Sequence, residues 1–439
     1  MNTWEQTAAL PHGARHLLLV SGTFRRCLAP MIAWEGAVRM DRGYVAEPDW
    51  RMCVKRIAWN RLRRQVVGGG VLLMMLVVGC GDRQESVIKI GFVAPLSGDQ
   101  AVHGAGMLRG AELALEKALA SGFSVYGYRI ELMPLDDQRN PTQAVAAAKK
   151  LVADPAVVAV IGHLNSSCTK PASAIYHEGR VLQISPVSSN PEISRQGFDT
   201  FYRPCPTDDL QGPVAARFAF EQLAARRVYV LDDMTTYGRG LAEEFLKKAR
   251  ALGMEVLGHE GITQGDKDFT PLLTKIRATN PDLIFYAGMF PEAALLIKQR
   301  HDLGIGGVFM GGDGLYDAAL IELATPQAAE GVYVTTIGTD PRTLPTAQAF
   351  IRDYEARYGP IGAYSAYTYE AMNIVLWAVG TAGAKDREAV LAAMKQLKDF
   401  PGLFGPMNFD EKGDSLIRQI GIFTVHDGKF QFLGTGEPE

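Results

Sequence analysis

From Val87 onward, short apolar segments alternate with amphipathic ones, and this rhythm constrains the fold more than any other feature. "VIKIGFVAPL" has the composition of a buried strand, and Gly104 to Ala120 repeats small and apolar residues at helical spacing. "RIELMPLDD" is a second strand, and "PTQAVAAAKKLVAD" opens a helix with Pro141 in its first turn. "AVVAVIG", a helix through Ala172 to His177, and the strand "RVLQISPVS" continue the series. Crossovers of the β-α-β kind return each strand parallel to the last, so these residues predict a doubly wound parallel sheet.

A second series follows "FYRPCPTDDLQGP". Its strands are "RRVYVLDD", "MEVLGHEGI", "PDLIFYAG", "GGVFMGGDG" and "GVYVTTI", with helices such as Leu241 to Leu252 between them. Two long helical stretches, Thr346 to Tyr358 and Tyr364 to Ala382, precede a closing hairpin with Asp427 and Gly428 at its turn. Two α/β units of similar build imply two lobes with a cleft between them. Ligands of open α/β sheets bind beyond the carboxyl ends of the strands.

Bulk properties exclude several classes. The 45 Lys and Arg against 48 Asp and Glu leave a net charge of −3, with no basic run to attract nucleic acid. Five cysteines without a CxxC pair indicate neither a disulfide framework nor a zinc site, and no metal or cofactor is expected. No segment reaches the roughly 18 to 20 apolar residues of a spanning helix.

The N-terminal region has its own pattern. Lys55, Arg56, Arg61, Arg63 and Arg64 precede an apolar run from Val66 to Val78 and the small Gly79, which is the layout of a secretory signal. "VVGC" resembles the bacterial lipobox, which implies lipidation of Cys80 after removal of residues 52–79, with 80–86 as a tether. Residues 1–51 resemble no sorting signal, and the true precursor is expected to start at Met52.

Between strand and helix lies "VIGHLNSSCTKPAS", Val160 to Ser173, with Ser166, Ser167, Cys168 and Thr169 together. Hydroxyls crowd a strand end when something there needs hydrogen bonds. Read alone, Ser166 fits a helix cap as well as a ligand contact, and Asp313 of "GGDG" fits a turn residue.

The wider run "VIGHLNSSCTKPASAIYHEGRVLQISPVSSNPEISRQGF" is similar to the leucine/isoleucine/valine-binding proteins, extracytoplasmic receptors of ABC importers with the type I periplasmic-binding-protein fold. "DDMTTYGRGLAEEF", "GHEGITQGDKDFTPLLTKI", "FYAGMFPE", "FMGGDG" and "GPMNFDEKGD" extend the resemblance over nearly all of Val87 to Gly434. It implies two lobes joined by three crossings, near Asp208, Ile337 and Ser415. The lobes would comprise 87–207 with 338–414, and 208–337 with 415–439.

The resemblance also implies a site. Ser166 matches a residue that holds the ligand's carboxylate, Ser189 matches one that contacts its charged end and could instead hold an ST-turn, and the Val187 carbonyl matches an acceptor for its ammonium. Asp313 stands where the family usually has Glu, keeping the charge and losing a methylene. Tyr237 and Tyr364 match aromatic wall positions. They could equally cover a helix start or belong to the core. Leu164, Asn165 and Met289 border the side-chain end; Asn165 replaces a family Cys and Met289 a family Tyr. His103 stands in a loop where relatives often carry a large aromatic residue. Ser167, Cys168 and Thr169 fit helix-start or packing roles, and Cys168 and Cys205 could pair or stay free.

The expected function is therefore a monomeric, exported, lipid-anchored receptor that is not an enzyme. It would bind an amino acid, with a branched-chain side chain as the first expectation, and deliver it to a membrane permease. A second reading within the fold is a receptor for urea, a short amide or an aromatic acid. The presence of Asp313 favours an ammonium over these. A hydrolase with Ser166 or Cys168 as nucleophile would need a base such as His163, and no GxSxG elbow is present.

Overall fold

The structure is a computed structural model that describes residues 86–437. The signal segment, Cys80 and residues 1–51 lie outside the described residues. Among the described residues, no helix is long and apolar enough to cross a membrane.

The first sheet contains β1 (Ser86–Ala94), β2 (Tyr128–Asp136), β3 (Val157–Gly162), β4 (Leu182–Ile184) and β5 (Phe201–Tyr202). All pairings are parallel, in the order β2-β1-β3-β4-β5. β3, "VVAVIG", is buried at every residue, as a central strand covered on both faces must be. The strand expected over "RVLQISPVS" is confined to Leu182–Ile184, because the chain leaves the ladder at Ser185 and turns along the sheet's end.

The second sheet begins with β6 (Arg227–Asp232), β7 (Glu255–Gly261), β8 (Leu283–Ala287), β9 (Val308–Gly311) and β10 (Tyr333–Thr336). A two-stranded ribbon of β11 (Phe400–Gly402) and β12 (Gly405–Met407) follows. The hairpin of β13 (Ile420–His426) and β14 (Lys429–Gly436) then completes the second sheet in the order β14-β13-β10-β9-β8-β6-β7. β13 runs antiparallel to β10. Asp427 and Gly428 both take positive φ, 50° and 69°, the backbone of a two-residue I′ turn.

Helices Gln348–Tyr358, Ser365–Ala382 and Arg387–Met394 return to the first lobe, where Ser365–Ala382 packs along the helix Ala101–Ala120. The chain therefore passes between the sheets three times: after β5, after β10 and before β13. Local signals fix the helix starts. Asn140 accepts from the backbone N–H groups of Thr142 and Gln143 ahead of Pro141, and Thr235 accepts from that of Gly238.

Candidate functional site

The carboxyl ends of both sheets face one cleft. On the first lobe, β3 runs out at Gly162 and the chain turns through Leu164 and Asn165 into the helix Ser166–Glu178. Asn165 is the cap position and its side chain makes no cap bond; its Nδ2 donates to Gln100 Oε1 at 3.0 Å instead. Ser166 is thus the first helical residue and not the cap. It is buried, and its Oγ lies at 3.5 Å from the Asn190 backbone N–H. Ser189, on the loop after β4, is buried with its Oγ beside the Asp208 carboxyl, out of hydrogen-bond geometry, so the hydroxyl has no partner. Buried hydroxyls of this kind at a helix N-terminus suit an anion.

On the second lobe, β9 ends at Gly311 and delivers Asp313 into a single turn, Asp313–Leu315. Asp313 is buried. Tyr237 donates to its Oδ1 at 2.9 Å and Tyr364 to its Oδ2 at 3.0 Å. Tyr237 belongs to the second lobe and Tyr364 precedes the first-lobe helix Ser365–Ala382, so both lobes hold this carboxylate. The glycines around it have a steric cause. A Cβ on Gly312 would stand 2.6 Å from the Tyr237 hydroxyl, and one on Gly314 would stand 2.3 Å from the Gly288 carbonyl. Burial pushes the Asp313 carboxyl above its ordinary range, and the two tyrosines oppose that rise. Asp208, fully buried and with neither oxygen hydrogen-bonded, is pushed well up by burial and then by Asp313.

Leu164, Asn165, Ser166, Val187, Tyr237, Met289, Asp313 and Tyr364 border one space at the cleft. Asp313 opens a turn, and Tyr237 and Tyr364 also pack into the core, so those readings hold beside the cleft position. All three meet in one hydrogen-bonded group at the cleft.

His103 is placed differently from expectation. The helix starts at Ala101, so His103 is not in a loop but in the first turn, and it is 3% exposed. It packs edge-on to Tyr364 and Phe290, with ring centroids 4.9 and 5.1 Å apart. Its Nε2 lies 2.8 Å from Asp317 Oδ2, close enough for an ion pair, though not aligned as a hydrogen bond. It backs the tyrosine wall and does not border the space itself.

Ser167, Asp233, Thr235 and Gln264 also border the cleft and were not anticipated from sequence. Asp233 follows β6 and accepts from the Thr235 backbone N–H at 3.0 Å and its hydroxyl at 2.5 Å. The signal was present in "LDDMTT": an acid directly beyond a strand, followed by hydroxyl residues, sits at the sheet's carboxyl end. Ser167 is in the first helical turn, as a helix-start residue, and borders the cleft as well.

The residues of a hydrolytic reading are otherwise engaged. His163 Nδ1 meets Asp137 Oδ2 at 2.7 Å and Nε2 meets the Tyr176 hydroxyl at 3.2 Å, so the ring is held away from Ser166. Cys168 and Cys205 are both free and buried, and burial pushes both thiols up, which suppresses the nucleophilic thiolate.

This geometry, two α/β lobes closing a hydroxyl-rich turn against a buried carboxylate, is that of a bilobal binding protein. Residues 87–429 match the periplasmic binding protein family, and the chain belongs to it. It is 34% identical to a Leu/Ile/Val-binding protein homolog of Brucella suis over 84% of this chain and 99% of that one. Among solved structures, the leucine-binding protein LivK of Thermotoga maritima is similar at 32% identity and a TM-score of 0.75, covering 80% of this chain and 99% of that one. LivJ of Streptococcus pneumoniae, solved with isoleucine, is similar at 27% identity and a TM-score of 0.74, covering 80% of this chain and 100% of that one. The fold is the type I periplasmic binding protein fold.

Proposed function

We propose that this protein is an extracytoplasmic receptor that captures one free α-amino acid, with a branched-chain side chain, and delivers it to the permease of an ABC importer. The observation that carries this reading is the pairing, across one cleft, of the Ser166 turn with the buried carboxylate of Asp313. A zwitterion loses water at both ends on binding, and each end needs a partner. Ser166, Ser189 and the helix N-terminus receive the carboxylate. Asp313 and the Val187 carbonyl receive the ammonium. Leu164, Met289, Tyr237 and Tyr364 supply apolar wall for an aliphatic side chain, and the names of the relatives point to the same class. His103 shapes that wall through Tyr364.

The receptor works as a monomer and performs no covalent chemistry. Closure of the lobes on the ligand makes the form that the permease recognises. Export, implied by the family, ends in a lipid anchor at Cys80; Cys80→Ala should leave the precursor unprocessed or the protein outside the membrane fraction. A thermal-shift screen of the protein against the common amino acids, urea and benzoate tests the ligand, since a native-state ligand raises stability as RT ln(1 + [L]/Kd). The largest shifts are expected with leucine, isoleucine and valine. A shift with benzoate or urea and none with any amino acid would overturn the reading.

A further inference from the structure

Arg139 lies on the first lobe, between β2 and the helix Pro141–Ala153, yet most of what its guanidinium meets belongs to the second lobe. Its Nη2 is 3.7 Å from Glu292 Oε2 and 3.9 Å from Asp233 Oδ2. With its amide oxygen turned toward the guanidinium, Gln264 accepts from Nη2 at 2.6 Å and from Nε at 3.3 Å. Nη1 reaches Asp99 Oδ2 of its own lobe at 3.0 Å. Thus one side chain touches three separate segments of the opposite lobe: the end of β6, the loop after β7, and the first turn of the helix Phe290–Asp302.

The partners need this cation. The Asp233 and Glu292 side chains are 1% and 2% exposed, and Glu292 Oε2 has no hydrogen-bond partner. Two desolvated carboxylates on one wall repel each other, and a guanidinium between them offsets the cost of burying both. The Arg139 backbone is held to match. Gln138 and Arg139 take φ of 53° and 59°, a conformation unfavourable for residues with a Cβ. Asp136 accepts from the Gln138 N–H at 2.9 Å, and the buried Asp137 accepts from the Arg139 N–H at 3.1 Å. Asp137 is itself anchored by His163, at the root of the Ser166 turn. Asp233 and Gln264 border the cleft directly, so the grip of Arg139 ends on the wall that faces the ligand.

We propose that Arg139 is a positioning residue for capture: its guanidinium clasps the acidic wall of the second lobe when the cleft closes, and so sets how long the ligand stays. The ligand arm of this inference rests on the amino-acid reading above. Because the contacts form only when the lobes meet, the clasp acts on the closed state. It slows release and leaves the encounter with the open cleft unchanged.

The test uses the full chain with Arg139→Gln, Arg139→Lys, Glu292→Gln and the Arg139→Gln/Glu292→Gln double variant. Exchange of radiolabelled L-leucine gives association and dissociation rates. In Arg139→Gln the dissociation rate should rise at least tenfold with the association rate within about twofold. Arg139→Lys should fall between that variant and wild type, since an ammonium keeps the charge without the fork. The double variant should lose less than the product of the single losses. A dissociation rate within twofold of wild type in Arg139→Gln overturns the proposal, as does an equal fall in association rate, which would mark a damaged turn.

A second arm needs no ligand. Spin labels at Lys150→Cys and Lys298→Cys, on exposed helix positions of the two lobes, report the closed fraction by paramagnetic relaxation. That fraction should drop at least fivefold in Arg139→Gln, and an unchanged fraction overturns the clasp. If wild type binds no amino acid, the amino-acid reading fails while this arm still decides the role of Arg139.

Discussion

The two walls of the cleft differ in chemistry more than in architecture. The first lobe presents uncharged groups, Ser166 and Ser167 at a strand-to-helix turn and Val187 after β4. The second presents buried acids, Asp313 and Asp233, with Glu292 behind them. The charge that would pair an ammonium lies on the second wall, while the first offers hydroxyl and N–H donors together with the Val187 carbonyl. Recognition is thereby divided between bodies that must meet, and an incomplete ligand leaves one wall desolvated without a partner. On the proposed reading, the difference places selectivity for a free amino acid in closure, not in either lobe alone.

The largest expected effect comes from removing the charge on the acidic wall. Asp313→Asn keeps size and polarity and should lower amino-acid affinity at least a hundredfold by calorimetry, because a buried ammonium would lose its counter-charge. The des-amino acid with the same side chain should lose far less. Equal losses for both ligands would mean that the two walls are not divided as described.

A buried carboxyl away from the cleft sharpens the contrast. Glu370, on the first-lobe helix Ser365–Ala382, accepts from the Leu403 backbone N–H with both oxygens at 3.0 Å, and burial pushes its carboxyl up from 4.5 to about 7. Because the folded state holds this proton more tightly than the unfolded state, the contribution is full below about pH 4.5 and is lost as pH rises through 7. Glu370→Gln should raise stability at pH 8 by up to about 3 kcal/mol, at ~1.4 kcal/mol per pH unit, and flatten the pH dependence between about 4.5 and 7. Denaturant titrations at pH 5 and pH 8 measure this, and amino-acid affinity should stay unchanged.

Ser166→Ala removes a charge-assisted donor from the first wall, worth roughly 1.5–3 kcal/mol, so affinity should fall at least tenfold while the fold survives. Wild-type affinity would reduce Ser166 to a packing residue. Tyr364→Phe, the smallest change, removes a hydrogen bond that joins the walls without ligand. A neutral bond is worth about 1 kcal/mol net, which predicts roughly a fivefold loss in titration calorimetry.

Much of the architecture was legible because strands buried on both faces are continuous apolar runs, as β3 shows, and because caps and turns use residues with local reasons, as Asn140 and Gly428 show. Short pairings were not legible. β5 has two residues and β11 three, and such segments are strands only because a neighbour is present. The same holds in the site. Ser166, Val187 and Asp313 could be placed from local pattern and resemblance. The bonds that join Asp313 to Tyr237 and Tyr364 span 76 and 51 residues, and no local periodicity encodes them. His103 was misplaced because its burial depends on Tyr364 and Phe290, both distant in sequence. Gln264 and Asp233 are less legible in the sequence, because polar residues beyond strand ends look like ordinary loop composition until the opposite lobe covers them.

The hairpin of β13 and β14 sets the order in which the molecule can be completed during synthesis. All five strands of the first sheet leave the ribosome by Tyr202, but β10 waits for residues 420–436 to cover its open side. Until then the second sheet carries a naked edge of unpaired N–H and C=O groups, a template for pairing with other chains. A ribosome that stalls near Asp414 would release a product whose first sheet has all its strands and whose second sheet is adhesive. Residues 420–436 thus cover the edge of β10 and leave β14 as the outer strand of the finished sheet.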